Sequence, residues 1–155
     1  MRQLQKLLLV GTAAGLLTCP ALAWDFGISD GGDIFWTAAE DFLGEATLAF
    51  YCRQSAPGII QTQIVIGQPG PDSPQPVELS FDVAGRSFGP IPAVAESTQQ
   101  VLTVGTRSDA GRVGDAARAI YAEGGVVVLN YYESSWRFDG GDYSDDFGAM
   151  LDACG

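Results

Sequence analysis

Val126 to Cys154 reads VVVLNYYESSWRFDGGDYSDDFGAMLDAC, and two periodicities follow one another inside it. Val126 to Tyr132 is the most hydrophobic run of the mature chain and is expected as a strand at the centre of a sheet. Ser135 to Asp139 places Trp136 and Phe138 two residues apart, on one face of a second strand. The spacing then lengthens: Phe147, Met150, Leu151 and Cys154 fall on one stripe of a helix, with Ser144 as its cap and Asp145 and Asp146 in the first turn, where the helix dipole favours negative charge. The final cysteine therefore lies on the buried side. Outside the leader the chain has one other cysteine, Cys52. In Glu45 to Arg53, EATLAFYCR, the two-residue period puts Ala46, Leu48, Phe50 and Cys52 on one inward face. A Cys52–Cys154 disulfide is expected, pinning the last helix to an early strand.

Working outward, Trp24 to Ile28 reads as a short strand reversed by Ser29-Asp30-Gly31-Gly32-Asp33 into Ile34 to Ala39, with Phe35 and Trp36 on opposite faces. Glu40 to Gly44 and Ser55 to Gly58 read as turns, and Ile59 to Gly67 as a β-branched strand. Gln68 to Pro76, QPGPDSPQP, is too rich in proline for regular structure and is expected as a loop. Val77 to Val83 alternates cleanly, with Val77, Leu79, Phe81 and Val83 inward. Ala84-Gly85 turns it into a returning arm, Arg86 to Gly89, which Pro90 to Pro92 should end. Gln100 to Thr106 is a further strand. Ser108 caps a helix to Glu123 whose apolar stripe is Val113, Ala116, Ala117 and Ile120, and Gly124-Gly125 stops it. Asp30-Gly31-Gly32-Asp33 and Asp139-Gly140-Gly141-Asp142 share a turn type. The fold class expected is α+β: an antiparallel sheet of about seven or eight strands, curved or closed as a small sandwich, with two helices late in the chain.

The N-terminal MRQLQKLLLVGTAAGLLTCPALA has a basic start, an apolar run from Leu7 to Leu17 and an Ala21-Leu22-Ala23 cleavage site, so residues 1–23 read as a secretory signal peptide cut before Trp24. Cys19 follows Thr18, a poor residue before a lipidated cysteine, and the Ala-x-Ala site downstream is the better one. Residues 24–155 then form one domain, periplasmic or secreted, with no segment apolar and long enough to insert in a membrane. The chain carries eight basic residues, nineteen acidic ones and no histidine. Arg2 and Lys6 leave with the leader, so six arginines face nineteen carboxylates, a balance of −13, and no lysine is left. Such a surface repels nucleic acid and anionic lipid.

Catalytic inventory is thin. Without histidine the commonest general base and zinc ligand are both missing; there is no CxxC and no phosphate-binding glycine loop. No enzyme activity and no cofactor are expected, a carboxylate-dependent hydrolase being the third-ranked alternative. Asp139, Asp142, Asp145 and Asp146 are the candidate metal ligands, because calcium takes its oxygens from loops of this kind; a calcium-stabilised envelope domain is the second reading. Tyr131, Tyr132 and Trp136 are the candidate interaction residues, since Tyr and Trp anchor interfaces. The leading expectation is a binding protein whose partner is an unidentified envelope or extracellular protein, met through the aromatic turn or a sheet edge.

A leading Trp24, the cysteine-ended strand LAFYC (Leu48 to Cys52), the hairpin VELSFDVAGRSF, a helix running into VVVLNYY and a final helix ending LDAC together resemble the invasion-associated locus B proteins and related small exported proteobacterial domains. The additional cysteine pairs usual in that family are absent here. The resemblance implies an exported domain linked to host invasion, and it transfers no catalytic residue.

Overall fold

The computed structural model describes residues 24–29, 31–106, 111–140 and 145–155, with Asp145 described by its backbone alone. Among them are nine strands and two helices: β1 (Asp25–Ile28), β2 (Ile34–Glu40), β3 (Ala46–Arg53), β4 (Ala56–Ile66), β5 (Gln75–Val83), β6 (Arg86–Thr98), β7 (Val101–Gly105), α1 (Gly111–Glu123), β8 (Val126–Tyr131), β9 (Ser134–Asp139) and α2 (Asp145–Cys154). The strands form one antiparallel sheet in the order β1-β2-β3-β4-β7-β6-β5-β8-β9. It is curled rather than doubled into a sandwich. Its two ends approach: the Trp24 indole N–H donates to the Asp139 carbonyl at 3.0 Å, and the Phe42 N–H donates to the Arg137 carbonyl at 3.0 Å. The outer edge of β9, otherwise a row of open backbone groups, is thereby partly covered.

Alternation decides what goes inside. Leu48, Phe50 and Cys52 of β3, Ile64 and Ile66 of β4, Leu79, Phe81 and Val83 of β5, and Trp136 and Phe138 of β9 are buried on the concave face. The helices close that face: α1 lies against β4, β5 and β6, and α2 against β1 to β4. The Phe147 ring from α2 meets Trp24 edge-on at 4.9 Å and Phe50 at 5.8 Å, and Phe50 in turn meets Phe81 at 5.5 Å. Aromatic pairs at such separations add to the area they bury. Cys52 and Cys154 are joined, with Cα atoms 5.8 Å apart across 102 residues of sequence, so the covalent tie expected from the two lone cysteines is present.

Three expectations are corrected. Pro90 and Pro92 do not end the returning arm: β6 continues to Thr98. On this flank β6 pairs with β7 only over Val94–Thr98, so among the described residues the Arg86–Ala93 half has no strand partner there, and a missing N–H removes no ladder bond. Opposite Ser80 the strand takes two residues, Gly89 and Pro90, joined by a cis peptide, between the pairs Leu79–Ile91 and Phe81–Phe88. A Cβ on Gly89 would lie 2.6 Å from that of Ser80, so this bulge needs a glycine. Second, β8 is penultimate, not central. Its inward Val127 and Leu129 are fully buried while Val126 is 38% exposed; its outward valines reflect β-propensity, with Val128 set between Asp82 and Arg137. Third, β4 begins at Ala56, through the expected turn, and β5 begins at Gln75, inside the expected loop. The proposed caps Ser108 and Ser144 lie outside the described residues.

Candidate functional site

With the concave face filled, the sheet presents its outer face. On it lies a groove of about 860 Å³ across β6, β5 and the end of β8. Its walls include Pro76, Pro90, Pro92 and Tyr132, and Ser80, Gly89 and Asn130 also line it. Prolines enter this wall because β6 runs through them. The floor is fixed by polar contacts between neighbouring strands: the Asn130 side-chain amide donates to the Asp82 carboxylate at 2.8 Å and, more weakly, to the Ser80 hydroxyl at 3.4 Å. On the far side of β6, the Arg112 guanidinium of α1 donates to the Pro90 carbonyl at 2.7 Å.

Tyr132 is the most exposed of the aromatic residues singled out in the sequence, at 73%. It occupies the first position of the two-residue β8–β9 turn with φ 52°, a left-handed conformation that Asn or Gly adopts more readily than tyrosine. Alternation alone would send Tyr131 and Tyr132 to opposite faces. The turn breaks the alternation, and the two rings sit 4.7 Å apart, tilted by 60°. Tyr131 is half-buried; burial, and then the neighbouring Tyr132 phenol, push its pKa above the ordinary 10.0. Trp136, grouped with these two in the sequence reading, points the other way: it is 8% exposed on the concave side. The aromatic site therefore reduces to Tyr132 at the end of the groove, with Tyr131 beside it packed against the core.

Of the four candidate calcium ligands, Asp142 lies outside the described residues, as does the side chain of Asp145. Asp139 and Asp146 are half-buried, and the Asp139 backbone carbonyl accepts from Trp24. Among the described residues no three acidic, histidine or cysteine side chains converge as a metal-holding group.

Two features of the outer surface escape a linear reading. Asp41, in the β2–β3 turn, is 2% exposed, and its carboxylate accepts from the backbone N–H groups of Leu43, Glu45 and Ala46 at 3.2, 2.6 and 2.8 Å. The second is an aromatic surface on the opposite half of the sheet from the groove. Trp36 stands opposite both Gly27 and Tyr51 in register, and its indole lies across Gly27, where an added Cβ would be 2.1 Å from the ring. The available signal was phase: Trp36 and Tyr51 are large aromatics at outward positions of strands, where polar residues are the rule. Among the described residues no helix is long and apolar enough to cross a membrane. No family model, no curated protein and no solved structure matches this chain, so the groove and its chemistry stand as the basis for a functional reading.

Proposed function

We propose that this protein is an exported, non-enzymatic binding module whose groove beneath Tyr132 receives an extended, positively charged polypeptide segment. The observation that carries this reading is Tyr132 itself: a large aromatic ring, 73% exposed, held in a turn at positive φ at the end of a groove of about 860 Å³. Non-glycine residues kept in that backbone region are a pointer toward function rather than stability. Proline and tyrosine walls lose little side-chain entropy when a ligand binds, and aromatic-lined grooves of this kind suit the extended polyproline II form. Charge supplies the sign of the ligand. Glu78 lines the groove and no basic residue does, while the whole chain carries −11; steering of a cationic partner follows. Export after loss of residues 1–23 accords with the Cys52–Cys154 bridge, and kinship with the invasion-associated locus B proteins remains part of the proposal.

The test is calorimetric titration of the oxidised protein with a synthetic peptide repeating Lys-Pro-Pro, beside its Glu-Pro-Pro counterpart. The basic peptide should bind with Kd on the order of 10–1000 μM, weaken as salt is raised, and lose about tenfold or more in affinity with Tyr132→Ala. Equal binding of both peptides, or binding that Tyr132→Ala leaves unchanged, refutes the proposal.

A further inference from the structure

The outer surface of β1 to β4 is built differently from the groove. The Trp36 indole covers the space above Gly27, with Cζ2 and Cε2 2.1 and 2.3 Å from the position of an added Cβ. Gly27 does not have a positive φ, so the glycine serves space and not backbone conformation: it lets the indole lie flat on the strand with its other face outward. Tyr51 is its register partner on β3. One pleat further along the outer face, the next row is Ala38, Ala49 and Gln63, where two methyl side chains leave the sheet low. Beyond it Thr47 pairs with Val65. The result is a trough of about 320 Å³ with Trp36 and Tyr51 on one side, Ala49 within it, and Thr47, Gln63 and Arg53 supplying hydrogen-bonding groups.

Charge and size narrow the ligand. Of the eight lining residues only Arg53 is charged, and its guanidinium is paired with Asp33 at 3.1 Å. In a chain with nineteen acidic residues, a trough without a carboxylate among its lining residues selects an uncharged ligand. Its volume lies at the small end of the range of small-molecule sites, about 300–1,000 Å³, too little for a folded partner to fill. A flat aromatic face offers contact to an apolar ring face, while amide, hydroxyl and guanidinium groups at the side offer donors and acceptors. Pyranose rings have that division, with C–H faces and hydroxyl edges.

We propose that the Trp36–Tyr51 trough is a second binding site, for a neutral saccharide, independent of the Tyr132 groove. The chain contains three tryptophans; Trp24 and Trp136 are buried away from the outer face, so an emission change that a ligand causes at that face reports on Trp36. Titration of the oxidised protein with maltohexaose, cellohexaose and chitohexaose should give a saturable change in tryptophan emission for at least one of them, with Kd on the order of 0.1–10 mM. Ala49→Leu, which fills the trough from the outer face and leaves the core untouched, should weaken that sugar by about tenfold or more while thermal unfolding is unchanged; Gln63→Ala should weaken it less. Binding of the Lys-Pro-Pro peptide should be unaffected by Ala49→Leu, which separates this proposal from the preceding one. No emission change with any of the three sugars up to about 10 mM, or a folded Ala49→Leu protein that binds as the native chain does, overturns it. So does displacement of the sugar by an apolar peptide with higher affinity at the same site.

Discussion

Tyr131 and Tyr132 differ in sequence by one step and in physical situation by much more. One phenol is half-buried at the end of β8; the other stands in solvent on the turn. Burial acts first on Tyr131 and the adjacent Tyr132 second, both disfavouring its phenolate and raising its pKa above 10.0. The folded state therefore holds the neutral form more firmly than the unfolded chain does. The resulting contribution to stability is complete below pH 10 and is lost as pH rises through the elevated folded value. In a titration followed by phenolate absorbance, the Tyr131 transition should lie above the ordinary 10.0. Tyr132→Phe should bring the Tyr131 transition down, though not to the ordinary value, because burial remains. A Tyr131 transition unchanged in that variant would show that the second ring contributes no electrostatic effect.

Among the elements, the β2–β3 hairpin shows how one side chain can set a register. The Asp41 carboxylate collects three backbone N–H groups of the turn, of which that of Ala46 is buried. Asp41→Ala should destabilise the protein by roughly 1–3 kcal/mol in denaturant unfolding, and Asp41→Asn by less, since one acceptor oxygen is kept. Equal losses in the two variants would mean that shape and not hydrogen bonding matters there. The turn itself was legible in Glu40 to Gly44, but the role of Asp41 was not, because a turn aspartate reads alike whether it faces water or the backbone. β6 shows the reverse limit. Pro90 and Pro92 are strand breakers by local chemistry, and only the sheet order reveals that their flank lacks a strand partner. Strands with clean alternation, β3 and β5 above all, needed no such help, and the two helical stripes buried the residues that their spacing indicated except Leu151, which is partly buried.

At the scale of the whole molecule, a sheet whose concave side is filled by helices leaves its convex side for partners. The disulfide stapling α2 to β3 closes 102 residues; in the chain-entropy model a loop of that size contributes up to about 4.7 kcal/mol. Replacing both cysteines by alanine should lower the unfolding free energy by a few kcal/mol of that amount, while a change below about 0.5 kcal/mol would mean that the aromatic core holds α2 in place unaided. That bridge could be read from two lone cysteines, because their inward phase was local information. The proposed binding surfaces could not, because they are assembled across strands: Gly27 meets Trp36 by pairing β1 with β2, and Tyr132 joins Pro76, Pro90 and Pro92 around one groove only after β5, β6 and β8 lie side by side. If the inner face holds the fold together and the outer face takes the proposed ligand, amide chemical-shift mapping during titration with the Lys-Pro-Pro peptide should show shifts concentrated at Ser80, Gly89, Asn130 and Tyr132; shifts concentrated instead on α1 and α2, with the outer strands unmoved, would refute that division of the two faces.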